Sequence, residues 1–273
     1  MSNLSKADVQ RHFSRLNRLF WIGILGIVLG PILMIVISAV AYKAAGSNVS
    51  APIALCSPFA AVASIALALL VRTSRRIARR SLAIATFAES SGYEYSWKPP
   101  AEKSQTIQEL SLWENPTSLE VTNLICTEQD GVDIEIADVR SEHFYGAVTA
   151  WNEQTIVLFP DAVHDDFQLR IMPKGRADKI LGKVVNYGAD QRFNKLPLAA
   201  NFHIECSGSD DLPTLFEVLS TVTPLFQKNA QLCLTVENGH IILFREMHLL
   251  QASEIRPMLA TAWTALQAFS RLG

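Results

Sequence analysis

The residues best able to do chemistry fall into four small groups, each containing a histidine. His164-Asp165-Asp166 offers an imidazole and two carboxylates, donors that suit a divalent cation. Neighbouring side chains of an extended chain point to opposite faces, so three in succession converge only through a tight turn, and the group reads as a polar loop. His203 and Glu205 stand two apart in NFHIECSG, on one face of a strand, where the carboxylate would raise the basicity of the imidazole. Without a nucleophile the pair reads as surface charge. Glu237 and His240 flank Asn238-Gly239 and read as an exposed pair contributing well under ~1 kcal/mol. His143, Phe144 and Tyr145 place two aromatic rings beside an imidazole, a pattern that serves a core and a ligand shelf equally well.

No larger constellation gathers these groups. The chain has no dinucleotide fingerprint, phosphate loop, metalloprotease helix or nucleophile elbow. Lys174-Gly175-Arg176 with Gly182-Lys183 comes nearest to a phosphate loop, but it lacks a strand-loop-helix frame and reads as a solvated loop. Cys56, Cys126, Cys206 and Cys233 are widely separated, with no C-x-x-C and no histidine pair at zinc spacing, so they read as small buried apolar side chains. No catalytic residue, cofactor or metal is therefore assigned.

The elements that would position such groups are legible from their periods. VDIEIADVR alternates, with Val132, Ile134 and Ile136 on one face and Asp133, Glu135 and Asp138 mostly on the other, and Asp130-Gly131 turns it back on LEVTNLICT. HFYGAVTAW and QTIVLFP read as a second pair about Asn152-Glu153, and FQLRIMP as a further strand. A period of two throughout predicts a sheet with one wet face. In NFHIECSG, Phe202, Ile204 and Cys206 share one side. SDDLPTLFEVLSTV then carries Leu212, Leu215, Phe216, Leu219 and Val222 at helical spacing, with Asp210 or Asp211 as cap, Pro213 in the first turn and Pro224 ending or kinking the helix. LCLTVENGHIILFRE is a hairpin about Asn238-Gly239, and a last helix carries Ile255, Leu259, Trp263, Leu266 and Phe269. The fold class is α+β, antiparallel strands with two or more packed helices.

Ahead of this domain lie two uncharged stretches, Leu19–Tyr42 and Ala51–Val71, each long enough as a helix to cross a hydrocarbon layer of roughly 30 Å. Lys6, Arg11, Arg15 and Arg18 precede the first; Arg72, Arg75, Arg76, Arg79 and Arg80 follow the second; only Lys43 lies between. Cations are retained on the cytoplasmic side, so the pattern predicts a two-pass hairpin in the bacterial inner membrane with both termini cytoplasmic. The five arginines are expected to contact the anionic membrane surface, each contributing about 1 kcal/mol. Residues 1–100 hold 11 Lys and Arg against 3 Asp and Glu, and residues 101–273 hold 13 against 23. An acidic globular part repels a phosphate backbone, which excludes nucleic acid as its partner. Gly26 and Gly30 in the first span and Ala60, Ser64 and Ala68 in the second are small residues four apart, the spacing that lets helices approach closely in lipid. They suit packing of the two helices on each other or a homo-oligomer. Neither span carries an ionisable group, so they read as an anchor rather than an ion path.

The expected organisation is a cytoplasmic segment (1–18), a first span (19–42), a short outer loop (43–50), a second span (51–71), a basic juxtamembrane helix with linker (72–100) and a cytoplasmic α+β domain (101–273). The helix of the fifth segment is expected to stop near Gly92, with YEYSWKPPAEKSQ extended beyond it. From Leu158 onward, LFP, DDFQLRIMPKG, NFHIECSGSDDLPTLFEVLSTVTPLFQ and LTVENGHIILFRE together resemble a group of uncharacterised bacterial membrane proteins of unknown function. The resemblance implies a helical hairpin ahead of a cytoplasmic domain and carries over no functional residue. The expected role is a non-enzymatic, membrane-anchored interaction or regulatory module, integral to the bilayer, with a protein partner at the inner leaflet or a second copy of itself. The alternative is a membrane-bound hydrolase or small-ligand or lipid sensor, its site between the sheet and the last helix.

Overall fold

The computed structural model describes residues 6–45, 69, 72–113, 116–145, 148–164, 166–175, 191–193, 195–208 and 212–270, with only part of the side chains between 23 and 45. The chain forms two compact units, Ser5–Ala83 and Ile84–Gly273. In the first, α1 (Lys6–Ala45) is helical without a break through Leu19–Tyr42. Helix α2 spans 72–91, and Arg75 stacks its guanidinium 4.4 Å from the centroid of Phe20. Among the described residues no helix is long and apolar enough to cross a membrane. The second predicted span lies outside the described residues apart from Leu69.

The second unit begins on the last turns of α2, where Ile84 and Ala88 are core residues, and the helix stops at Gly92 as the sequence predicts. The stretch beyond Gly92 is not an extended linker. Glu94–Ser96 is an edge strand, β1, and Ala101–Gln108 is a helix, α3, with Pro100 at its N-cap. Pro99 and Pro100 sit outside the helix interior, where they cost it no hydrogen bond.

The remaining strands are β2 (Ser118–Gln129), β3 (Val132–Tyr145), β4 (Val148–Phe159), β5 (Gln168–Pro173), β6 (Phe202–Ser207), β7 (Leu232–Glu237) and β8 (His240–Arg245). They form one antiparallel sheet in the order β1-β2-β3-β4-β8-β7-β5-β6. Asp130-Gly131 and Asn238-Gly239 take φ near +52° and +79°, and +51° and +78°. Positive φ at both central residues makes the hairpin turn whose twist matches paired strands, which is why both sequence signals landed. The β7–β8 register pairs Glu237 with His240 and Val236 with Ile241, as expected.

Asn152-Glu153 is not a turn. Both lie inside β4, opposite Ser141 and Arg140, and the chain reverses between Tyr145 and Val148. Cross-strand contacts hold the longer register: Arg140 pairs with Glu153 at 3.4 Å and stacks on Trp151 at 3.8 Å.

Helices α4 (Leu212–Lys228) and α5 (Ala252–Phe269) cover one face of the sheet. Leu215, Leu219, Val222, Phe226, Ile255, Ala262 and Phe269 meet Ile134, Ile136, Val157, Ile171, Leu234 and Leu243 in a single core. Pro224 does not end α4, which continues to Lys228; the proposed caps Asp210 and Asp211 lie outside the described residues. The other face is not simply wet. Ile107, Leu110 and Trp113, on α3 and the turn after it, pack with Val121, Leu124, Val139, Ile156, Leu158, Ile242 and Phe244 in a second core. Central strands are therefore buried on both faces, and β7 shows no exposed residue.

Candidate functional site

The α3 face stays polar at one end of the sheet, over β7, β5 and β6. Alternation decides which side chains reach it. Leu169 and Ile171 of β5, Phe202 and Ile204 of β6, and Leu232, Leu234 and Val236 of β7 all join the core under α4 and α5. Arg170, His203, Glu205, Thr235 and Glu237 therefore face the other way. Pairing sets Arg170 opposite Thr235 on one side and Glu205 on the other.

The turn after α3 lays Ser111 over this strip. Its backbone N–H donates to Glu237 Oε1 at 2.7 Å and its hydroxyl donates to Glu237 Oε2. Arg170 Nη2 donates to Ser111 Oγ at 3.1 Å. Together with Gln168 and Ser207 these groups line a groove of about 300 Å³. Ser207 donates to the Gln168 carboxamide oxygen at 3.3 Å. Thr235 lines the groove and is only 2% exposed, and its hydroxyl has no hydrogen-bond partner among the described residues. Burial raises the Glu205 carboxyl above its ordinary range, while the nearby Arg170 and His203 act against that rise. His203, Glu205, Arg170 and Met172 also enclose a dimple of about 10 Å³, beside the groove and no larger than a water needs.

Chemically the groove offers fixed donors and acceptors. A guanidinium that donates to Ser111 Oγ withdraws electron density from the oxygen that would have to attack, and the serine proton is committed to Glu237. That pattern fastens the α3 turn to β7. It leaves the outer N–H groups of Arg170, the Thr235 hydroxyl and the Glu205 carboxyl to meet a ligand.

The remaining groups singled out in the sequence have mixed outcomes. Glu237 and His240 are register partners but do not form an exposed ion pair: Glu237 is 5% exposed and bound to Ser111, while His240 Nδ1 accepts the Asp161 N–H at 3.3 Å. The turn between β4 and β5 brings Asp161 there, which adjacency in sequence could not indicate. His203 and Glu205 are brought together with Arg170, on the face away from α5 and so not between the sheet and the last helix. His143 Nε2 lies 3.1 Å from Ser141 Oγ, and Phe144 is 63% exposed, hence no core residue. His164 and Asp166 are exposed, Asp165 lies outside the described residues, and no metal-holding cluster occurs among the described residues. Lys174 and Gly175 close β5, while Arg176, Gly182 and Lys183 lie outside.

Cys233 is buried and Cys126 and Cys206 are half-buried; Cys56 lies outside the described residues. Burial pushes the Cys126 thiol up although the Lys103 ammonium, 3.6 Å away and ion-paired with Glu135, pulls it down. Arg72, Arg76 and Arg79 are exposed and Arg75 and Arg80 half-buried on α2. Gly26 and Gly30 are within α1, and Ala60, Ser64 and Ala68 lie outside the described residues. Ser111 and Thr235 carried no signal of their own in the sequence. Comparison with family models, curated proteins and solved structures gives no match to this chain.

Proposed function

We propose that the protein is a membrane-anchored interaction or regulatory module, a two-pass hairpin in the bacterial inner membrane with its acidic α+β unit on the cytoplasmic side. One observation carries this reading: Leu19, Trp21, Ile22, Leu25, Val36 and Val40 of α1 are each more than half exposed. Large apolar side chains left in contact with solvent along one helix mark a surface built for another phase. The arginines of α2 add the charge that holds a cytoplasmic end. The module acts by binding at the inner leaflet, either a protein partner or a second copy.

Protease added to intact spheroplasts is the test. The α+β unit should survive outside treatment and be digested only after lysis. Digestion from outside would overturn the orientation, and extraction of the chain by alkaline carbonate would overturn the anchor. Cross-linking in membranes then reads the partner, and a chain that cross-links neither to itself nor to a specific neighbour is no interaction module.

A second reading is favoured by the unpartnered Thr235 hydroxyl in the groove. A buried polar group without a partner costs about 1–3 kcal/mol, so its persistence fits a ligand that completes it. This supports a small-ligand sensor rather than a hydrolase.

A further inference from the structure

We propose that the groove at the β7-β5-β6 end of the sheet binds a small zwitterion of the α-amino-acid type, its carboxylate on Arg170 and its ammonium on Glu205. The inference deepens the sensor reading and is independent of the membrane anchor.

The choice of ligand follows from the order of charges across the strip. Arg170 sits on β5 between Glu205 on β6 and the Glu237 carboxylate held by Ser111. A dianion such as a phosphate ester would reach Arg170 only beside two carboxylates, which repel it. A simple cation attracted to Glu205 meets the guanidinium next to it. A neutral polyol would strip water from both charges and return no opposite charge to either. A molecule with both signs in adjacent positions satisfies the pair at once.

Spacing narrows the class. Arg170 and Glu205 are direct cross-strand partners, so their side chains leave the sheet about 5 Å apart. The ligand's opposite charges must then sit close together, as when a single carbon carries both. The volume of about 300 Å³ admits such a molecule with a modest side chain and not a long peptide. Arg170 has spent one donor on Ser111, and a guanidinium has five, so a planar carboxylate can be held by the others. The Thr235 hydroxyl, 2% exposed and without a partner among the described residues, supplies a further donor on the same side.

The experiment titrates full-length protein in detergent with the standard L-amino acids one at a time, and with acetate and methylamine as half-ligands. At least one amino acid should bind saturably in the millimolar range or tighter, and neither half-ligand should match it. Arg170→Gln and Glu205→Gln should each weaken that binding about tenfold or more, the loss of one charge-assisted contact. Thr235→Val should weaken it while Thr235→Ser keeps it, a contrast that a general loss of folding cannot produce. Absence of saturable binding by every amino acid, acetate binding as tightly as the zwitterion, or unchanged affinity in both charge variants would overturn the proposal and leave the protease topology result untouched.

Discussion

Asp138 is a carboxylate 5% exposed inside a β-sheet, and it accepts hydrogen bonds from two buried side chains. Asn123 Nδ2 donates to one oxygen at 2.7 Å and Thr155 Oγ1 to the other at 2.6 Å. Thr155 Oγ1 accepts the Leu250 N–H at 2.9 Å, and the Tyr95 hydroxyl donates to Asn123 Oδ1 at 2.8 Å. The chain of bonds ties β1, β2, β3 and β4 to the segment entering α5. Asp138→Ala removes an acceptor shared by two buried donors, and Thr155→Val removes one donor to that buried carboxylate together with the acceptor of the Leu250 N–H, so each should destabilise by about 2–3 kcal/mol. Urea unfolding with an unchanged slope measures both; equal small effects would show that water replaces the carboxylate. Alternation in VDIEIADVR assigns Val132, Ile134 and Ile136 to the core correctly. Asp138, two residues past Ile136, has the parity of that inward face, so setting it with Asp133 and Glu135 miscounts the period; what the strand does not reveal is its partner on β2, where pairing shifts between Thr122 and Ile125 and Asn123 turns to φ 52°. A bulge re-aims side chains without leaving a mark in the partner strand's sequence.

Helix α5 shows how an element's start and its pH response come from the same residue. Gln251 is the N-cap and Glu254 is at N3; the Glu254 carboxylate accepts the Gln251 N–H at 2.8 Å, and the Glu254 N–H donates to the Gln251 carbonyl oxygen at 2.9 Å. Glu254 also meets His248 at 3.3 Å and Arg245 at 3.4 Å. Burial alone would raise its carboxyl, but the Gln251 N–H, His248 and Arg245 outweigh that and hold it below its ordinary value of 4.5. A carboxyl lowered in the folded state contributes stability above the unfolded value, and the contribution is lost as pH falls through the folded one. Glu254→Gln should therefore be less stable than the parent at pH 7, with the gap closing as pH falls through the lowered folded-state value; a gap that persists in acid would assign the effect to shape rather than charge. At the end of β6, Gly208 has φ +76°, and a Cβ there would stand 1.8 Å from the Asp166 carbonyl oxygen. Gly208→Ala should cost at least ~3 kcal/mol by thermal unfolding, because backbone rather than a mobile side chain must give way. The strands, the two late helices and the Asn-Gly hairpin were legible because period and turn chemistry are local. The β3–β4 turn was not, since Asn152-Glu153 is polar enough for a loop, and only cross-strand partners such as Arg140 with Trp151 show that it is strand.

On the scale of the whole molecule the governing feature is the division of charge, with 11 Lys and Arg against 3 Asp and Glu in residues 1–100 and 13 against 23 in residues 101–273. Counts and apolar runs of this kind are properties of sequence, so the proposed anchor was readable at once. The groove lined by Ser111, Arg170, Glu205 and Glu237 was not, because these residues are far apart in the chain and meet only through sheet order. If retained cations orient the hairpin, the five arginines of α2 act with Lys6, Arg11, Arg15 and Arg18 as a sum over both inner flanks, and acidic residues count for little. Changing Arg72, Arg75, Arg76, Arg79 and Arg80 to glutamine should by itself give a mixed population, since the first flank still holds its cations. Adding lysines beside Lys43 in the 43–50 loop should then tip the mixture, so that protease outside intact spheroplasts digests the α+β unit in most chains. The same α+β unit, its far-ultraviolet dichroism unchanged, should stay protected if only acidic residues are moved. An orientation indifferent to the lysines would mean that the folded mass of the unit, and not the flanking charge, decides which side it occupies.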